Sequence, residues 1–406
     1  MKPTPSKNSS NMPPCISLSA GNKVLTSSRR HLLKASACTL LSTLYPLQDA
    51  DAIPSDSNVI RLGQSAPITG PMARVGLAFR DAARAVFNEV NAQGGIGGKK
   101  LELITLDDEN RFERTELNTK LLATEHHVIA LFGFLGAGAH RAGARAAAAE
   151  GLPYIAAVSG GKELRSGSLP RIFNMRASHQ DEIESVVRHI QQIGMERISV
   201  IFEYNSDGWE IRDALIASLK LQGKKSASLS SIDHEGSDFS LQSAVATILA
   251  GNPQAILLGA DFLASSRFVS ASRKAGFTGS FYTLSTVGGT ALIEALGSLA
   301  AGLSVTQVVP FPWTLSTKIG RDFQAFCKRN AIEPSFSSME AYLASNLVVT
   351  ALKRMREPTA ASLSAVLEGL PTQDFGGYQG TLYSKSRRTP EHIDLTVYSR
   401  SGKFLK

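Results

Sequence analysis

From Asn58 to residue 309 the chain alternates short runs rich in Val, Ile and Leu with longer stretches of helical period. Such a run can bury both faces of a strand only if the strands lie side by side in parallel and helices cover the sheet. Few folds satisfy that. The pattern predicts strands over 59–66, 100–106, 127–134, 153–158 and 171–175, with helices over 71–91 and 112–125 and another opened by the loop at 133–139. In the first helix, apolar residues at 72, 75, 79, 82, 83, 86, 87 and 90 fall on one face. Glycines at 94, 95, 97 and 98 then stop it. The cycle restarts with helices over 181–193, 208–221, 239–249, 261–275 and 290–297, interleaved with strands over 198–202, 227–232, 254–259, 280–284 and 302–309. Beyond 309 the rhythm breaks into helices near 317–329, 337–355 and 359–369 and two strands near 379–384 and 393–399. The expected architecture is α/β, with two doubly wound parallel-sheet domains.

Ligands of doubly wound sheets sit outside the C-terminal ends of the strands. The loops at 66–75, 133–139 and 158–161 end strands of the first half, and those at 204–208, 259–262 and 284–287 end strands of the second. Three loops from each half imply a ligand held between domains. The stretch LFGFLGAGAHRAG (131–143) invites a dinucleotide reading, but counting from Gly136 the sixth position is Arg141 where a glycine is needed. AAVSGGKE (156–163) fails the phosphate-loop pattern at Ala156 and Glu163. Both loops are nevertheless small enough for backbone N–H groups to approach a ligand, so donors at 136–138 and 159–161 are expected there. The sequence has no G-x-S-x-G, H-E-x-x-H or C-x-x-C motif, and no histidine in the candidate cleft to serve as a base. A non-enzymatic role without cofactor or metal is expected.

The formal net charge of +8 does not indicate nucleic acid, because residues 1–52 carry half of it and the remainder has no basic run. That N-terminal stretch has its own signature. Ser28-Arg29-Arg30-His31-Leu32-Leu33-Lys34 resembles a twin-arginine export motif, the modestly apolar run 35–47 follows, and Ala50-Asp51-Ala52 offers a cleavage site after Ala52. The apolar run is shorter than the roughly 20 residues of a membrane span. Residues 1–52 are therefore expected to be a twin-arginine signal peptide, and the mature product a periplasmic protein exported by that route. Only Cys327 would remain, in an apolar helical context that predicts a buried thiol.

Four further stretches carry a family resemblance: IRLGQSAPITGPMARVG (60–76), EVNAQGGIGGKKLEL (89–103), GSDFSLQSAVATILAGNPQAILLGA (236–260) and SMEAYLASNLVVTALKRM (338–355). With them the chain resembles type I periplasmic binding proteins of the leucine/isoleucine/valine-binding class over residues 58–406. The resemblance implies two lobes joined by three crossovers near 177–180, 309–313 and 375–378, with 58–178 plus 312–375 forming the first lobe and 179–311 plus 376–406 the second. It also implies capture of a small amino-acid-like or carboxylate solute by a monomer, and delivery to an inner-membrane ABC importer permease. The alternative is a solute sensor that presents its closed form to a membrane receptor or kinase. Ligand contacts carry over to Val75, Gly136, Ala137, Val158, Ser159, Gly160, Asp207, Asp261 and Ser285. The resemblance places a hydroxyl at position 137 and an ammonium-pairing Glu at 285, whereas this chain has Ala137 and Ser285. An α-ammonium held in the usual way is therefore not expected. Asp207 and Asp261 also suit helix caps, Phe311 and Trp313 suit packing of the second crossover, and Asp107-Asp108-Glu109 reads as a solvated turn. His126-His127 reads as a helix end, since adjacent helical residues diverge.

Overall fold

Strand β1 (Val59–Ala66) carries the first sheet because it pairs on both sides, with β2 (Lys100–Asp107) and with β3 (Ala130–Phe132). With β4 (Tyr154–Ile155) and β5 (Ile172–Phe173) the order is β2-β1-β3-β4-β5, parallel throughout. Helices α1 (Ala73–Ala92), α2 (Phe112–Thr124) and α3 (Ala139–Ala149) make the crossovers between these strands. The apolar face of α1 delivers Phe79 and Phe87 onto Phe132 of the sheet, with ring centroids 5.8 and 6.1 Å apart. All three rings are buried. In this computed structural model residues 58–135, 139–234, 237–382 and 392–406 are described. Arg29, Arg30, Ala52, Gly136 and Ala137 lie outside them.

The second lobe repeats the pattern with α4 (His179–Gln192), β6 (Ile198–Glu203), α5 (Ser206–Leu221), β7 (Leu229–Ile232), α6 (Asp238–Ala250), β8 (Ala255–Gly259), α7 (Phe262–Lys274), β9 (Ser280–Thr283), α8 (Thr290–Leu296) and β10 (Ser304–Gln307). Every residue of β6 and β8 is buried, as strands covered on both faces require. The chain then returns to the first lobe for α9 (Lys318–Asn330), α10 (Phe336–Leu352) and α11 (Ala360–Glu368), and α10 packs along α1. Cys327 of α9 is buried, and that burial pushes its thiol up to about 12.

The third passage between lobes comes later than residues 375–378. A short hairpin of β11 (Gln373–Asp374) and β12 (Gln379–Gly380) turns the chain back at Gly376 and Gly377, whose φ of 81° and 104° suit glycine. Asp374 Oδ1 accepts from both their N–H groups, at 2.7 and 3.1 Å. Tyr378 and Leu382 consequently stay in the core of the first lobe. Beyond them β13 (Asp394–Tyr398) and β14 (Phe404–Leu405) join the second sheet, whose order is β14-β13-β10-β9-β8-β6-β7. Both added strands are antiparallel, so this sheet is parallel only in its five-strand body. Among the described residues no helix is long and apolar enough to cross a membrane.

Candidate ligand-binding site

A cavity of about 730 Å³ lies between the lobes. The first lobe contributes Val75 from the start of α1, Val158 from the loop after β4, and Phe336 and Glu340 from the start of α10. Ser285 after β9 and Phe404 of β14 face them from the second lobe, and Arg176 and Trp313 enter from two crossovers. Phe311 lines it too, in T-shaped contact with Trp313 at 5.1 Å, and Trp313 meets Phe336 edge-on at 5.5 Å. These aromatics pack the crossover, as expected, and also form an apolar wall of the cavity.

The polar end is built around Arg176, whose side chain is 2% exposed. Its Nε lies 3.5 Å from Glu340 Oε1, and its Nη2 donates to Ser285 Oγ at 2.6 Å. The Ser285 N–H donates to Glu182 Oε2 at 2.9 Å, and the Thr306 hydroxyl donates to the same oxygen. Burial pushes the Glu340 carboxyl above its ordinary range, and the Arg176 charge offsets part of that rise. Each side chain thus offsets part of the cost of burying the other, and both border a space a solute can enter. A guanidinium in that position suits a planar carboxylate.

Charged pairs link the lobes, the first of them at the cavity. Arg74 of α1 pairs with Glu294 of α8, and Arg141 of α3 pairs with Asp207 at the start of α5. Arg141 Nε also lies 3.2 Å from Glu163 Oε2. Glu210 accepts from the Lys162 N–H at 2.9 Å. Burial opposes ionisation of Glu210, but the His179 side chain and the Lys162 N–H hold its carboxyl below the usual range.

Of the residues expected at the site, Val75, Val158 and Ser285 line the cavity. Asp207 and Asp261 do not. Asp207 is committed to Arg141, while Asn205 caps α5 by accepting from the Gly208 N–H at 2.9 Å. Asp261 is itself the cap of α7, accepting from the Ala264 N–H at 2.7 Å. The donors expected at 159–161 are also spent internally. Ser159 N donates to Ala157 O, Gly160 N to His179 Nε2 at 3.2 Å, and Gly161 N to Ser159 Oγ at 3.1 Å. Gly160 is small for His179, whose Cδ2 would stand 2.3 Å from an added Cβ. The turn at Asp107-Asp108-Glu109 is not solvated throughout, because Asp108 is fully buried against Ser65 and Thr115.

Sequence reasoning missed Arg176 and Glu340. Position 285 offers no carboxylate, yet Glu340 supplies one to the same cavity from α10. A lone acid in the apolar helix FSSMEAYLASNLVVTAL was the available signal.

A family described as "Periplasmic binding protein" matches residues 59–397. A possible leucine/isoleucine/valine-binding protein of Rhodopirellula baltica has a similar structure, with a TM-score of 0.79 and 25% identity over 88% of this chain and 98% of that one. A substrate-binding periplasmic protein of Ralstonia solanacearum superposes with a TM-score of 0.76 at 27% identity, covering 85% and 99% of the two chains. Among curated proteins, Leu/Ile/Val-binding protein homolog 7 of Brucella melitensis is 25% identical over 191 residues, 45% of each chain. The matched region thus spans about half the length of that curated relative.

Proposed function

Since this chain belongs to the periplasmic binding protein family, with the type I fold of that family, we propose that it captures a small amino-acid-like or carboxylate solute between its lobes in the periplasm and hands it to an ABC importer of the branched-chain amino acid type. The observation that carries this reading is a two-sided cavity ending in the buried Arg176–Glu340 pair. A carboxylate lies against Arg176, an amino or amide group is within the reach of Glu340, and the apolar body rests on Phe311, Trp313 and Phe336. Closure of the lobes excludes water and strengthens those polar contacts. Export through Arg29 and Arg30 would bring the folded protein to its solute.

Calorimetric titration with amino acids, amides and aromatic acids tests the proposal. One solute should bind 1:1 and raise the melting temperature, as mass action requires. Val75→Phe, which narrows the cavity, should abolish that binding. Unchanged binding in this variant would place the solute elsewhere. Replacing Arg29 and Arg30 by lysine should leave full-length precursor in the cytoplasm; normal periplasmic accumulation would refute the export route.

A further inference from the structure

Three neighbouring strands of the second sheet, in the order β8-β6-β7, each place a metal-ligating side chain at their C-terminal end. Glu203 is the last residue of β6, His234 follows β7 by two residues, and Asp261 follows β8 by two. None of the three lines the solute cavity. His234 Nδ1 lies 2.9 Å from Glu203 Oε1 and 3.0 Å from Asp261 Oδ2, and the three donor atoms lie within 4.8 Å of one another. Donors about 2.0–2.2 Å from one ion stand roughly 2.9–3.5 Å apart in octahedral or tetrahedral geometry. The separations of His234 from Glu203 and from Asp261 fall in that range, which a hydrogen bond also spans.

The other carboxylate oxygens are already fixed by backbone. Glu203 Oε2 accepts from the Asp261 N–H at 3.2 Å, and Asp261 Oδ1 accepts from the Ala264 N–H at 2.7 Å. Each acid therefore keeps one oxygen on the scaffold and turns the other toward His234, the orienting arrangement that metal sites use. The acid side chains are only 11% and 10% exposed, while that of His234 is 66% exposed. Two nearly buried carboxylates side by side repel unless a cation joins them.

We propose that Glu203, His234 and Asp261 bind one divalent transition-metal ion of the zinc type, through one imidazole nitrogen and two carboxylate oxygens, at a site separate from the solute cavity. One nitrogen donor with two oxygens favours such ions over calcium or magnesium. Binding shifts the imidazole proton from Nδ1 to Nε2, or releases one proton to solvent where the ring is charged.

The test is calorimetric titration of the untagged full-length protein with zinc chloride at neutral pH. One site per chain is expected, with calcium and magnesium at least roughly tenfold weaker. His234→Ala, an exposed change, should weaken zinc at least about tenfold, and Asp261→Asn, which retains a capping oxygen, should do likewise. Solute binding measured in both variants should be unaffected, which separates failure of this site from failure of the cavity. No zinc bound by the parent protein, or undiminished zinc affinity in His234→Ala, would overturn the proposal.

Discussion

On the proposed reading, solute recognition turns on Arg176. It is buried, borders the cavity and faces Glu340, so its loss removes a charged hydrogen bond to a carboxylate. Arg176→Gln should cost about 1.5–3 kcal/mol of binding, roughly ten- to a hundredfold in affinity, by calorimetry. Affinity within threefold of the parent would remove Arg176 from the site. A second residue sets a pH dependence. Burial pushes the Asp108 carboxyl up to about 6 from 3.8, so the folded protein holds a proton that the unfolded chain has released. Stability should therefore fall as pH rises from about 4 to 6, by on the order of 1–3 kcal/mol, and level off above about 7. Urea unfolding between pH 4 and 7 should show this slope in the parent and lose it in Asp108→Asn. Neither Arg176 nor Asp108 was recognisable in the sequence. Burial is set by residues far along the chain, as when Ser65 reaches Asp108 across two strands.

At the scale of elements, the strands and helices were legible because period and punctuation agreed along the chain. The bounds of α1, α5 and α7 fall within two residues of expectation. Their caps were less so: Asp207 and Asn205 are both good capping residues two positions apart, and the ion pair with Arg141 decided between them. The same pairs allow a graded prediction about closure. Arg74 and Glu294 are 59% and 50% exposed, so their pairing contributes at most about 1 kcal/mol. Arg141 and Asp207 are 23% and 25% exposed, and Arg141 is shared between Asp207 and Glu163, a less screened arrangement. Stopped-flow release of solute should accelerate less than about fivefold in Arg74→Gln and more in Arg141→Gln. Equal effects would deny the Arg141 cluster a special part in closure. Ser178, whose hydroxyl and Asp181 form a reciprocal cap on α4, guards the first crossover; Ser178→Ala should cost about 1 kcal/mol by chemical denaturation.

For the whole molecule, alternation alone dictated two sheets with a cleft between them, and the loops at strand ends pointed to that cleft. Val75, Val158 and Ser285, carried over from the family resemblance, line one cavity from opposite sides. What the pattern could not convey was the third dimension of the cleft: which crossover carries Trp313 inward, and how α10, some 160 residues after Arg176, brings Glu340 back beside it. A strand near 393–399 was legible, but its antiparallel direction and the short β14 were not, since a strand's period does not show which way its partner runs. The most direct test of a solute held between lobes is a crystal structure of the protein with its solute bound. The account predicts density touching both lobes, with a carboxylate at Arg176 and the apolar part against Trp313 and Phe336. Density confined to one lobe, or lying away from Arg176, would contradict it.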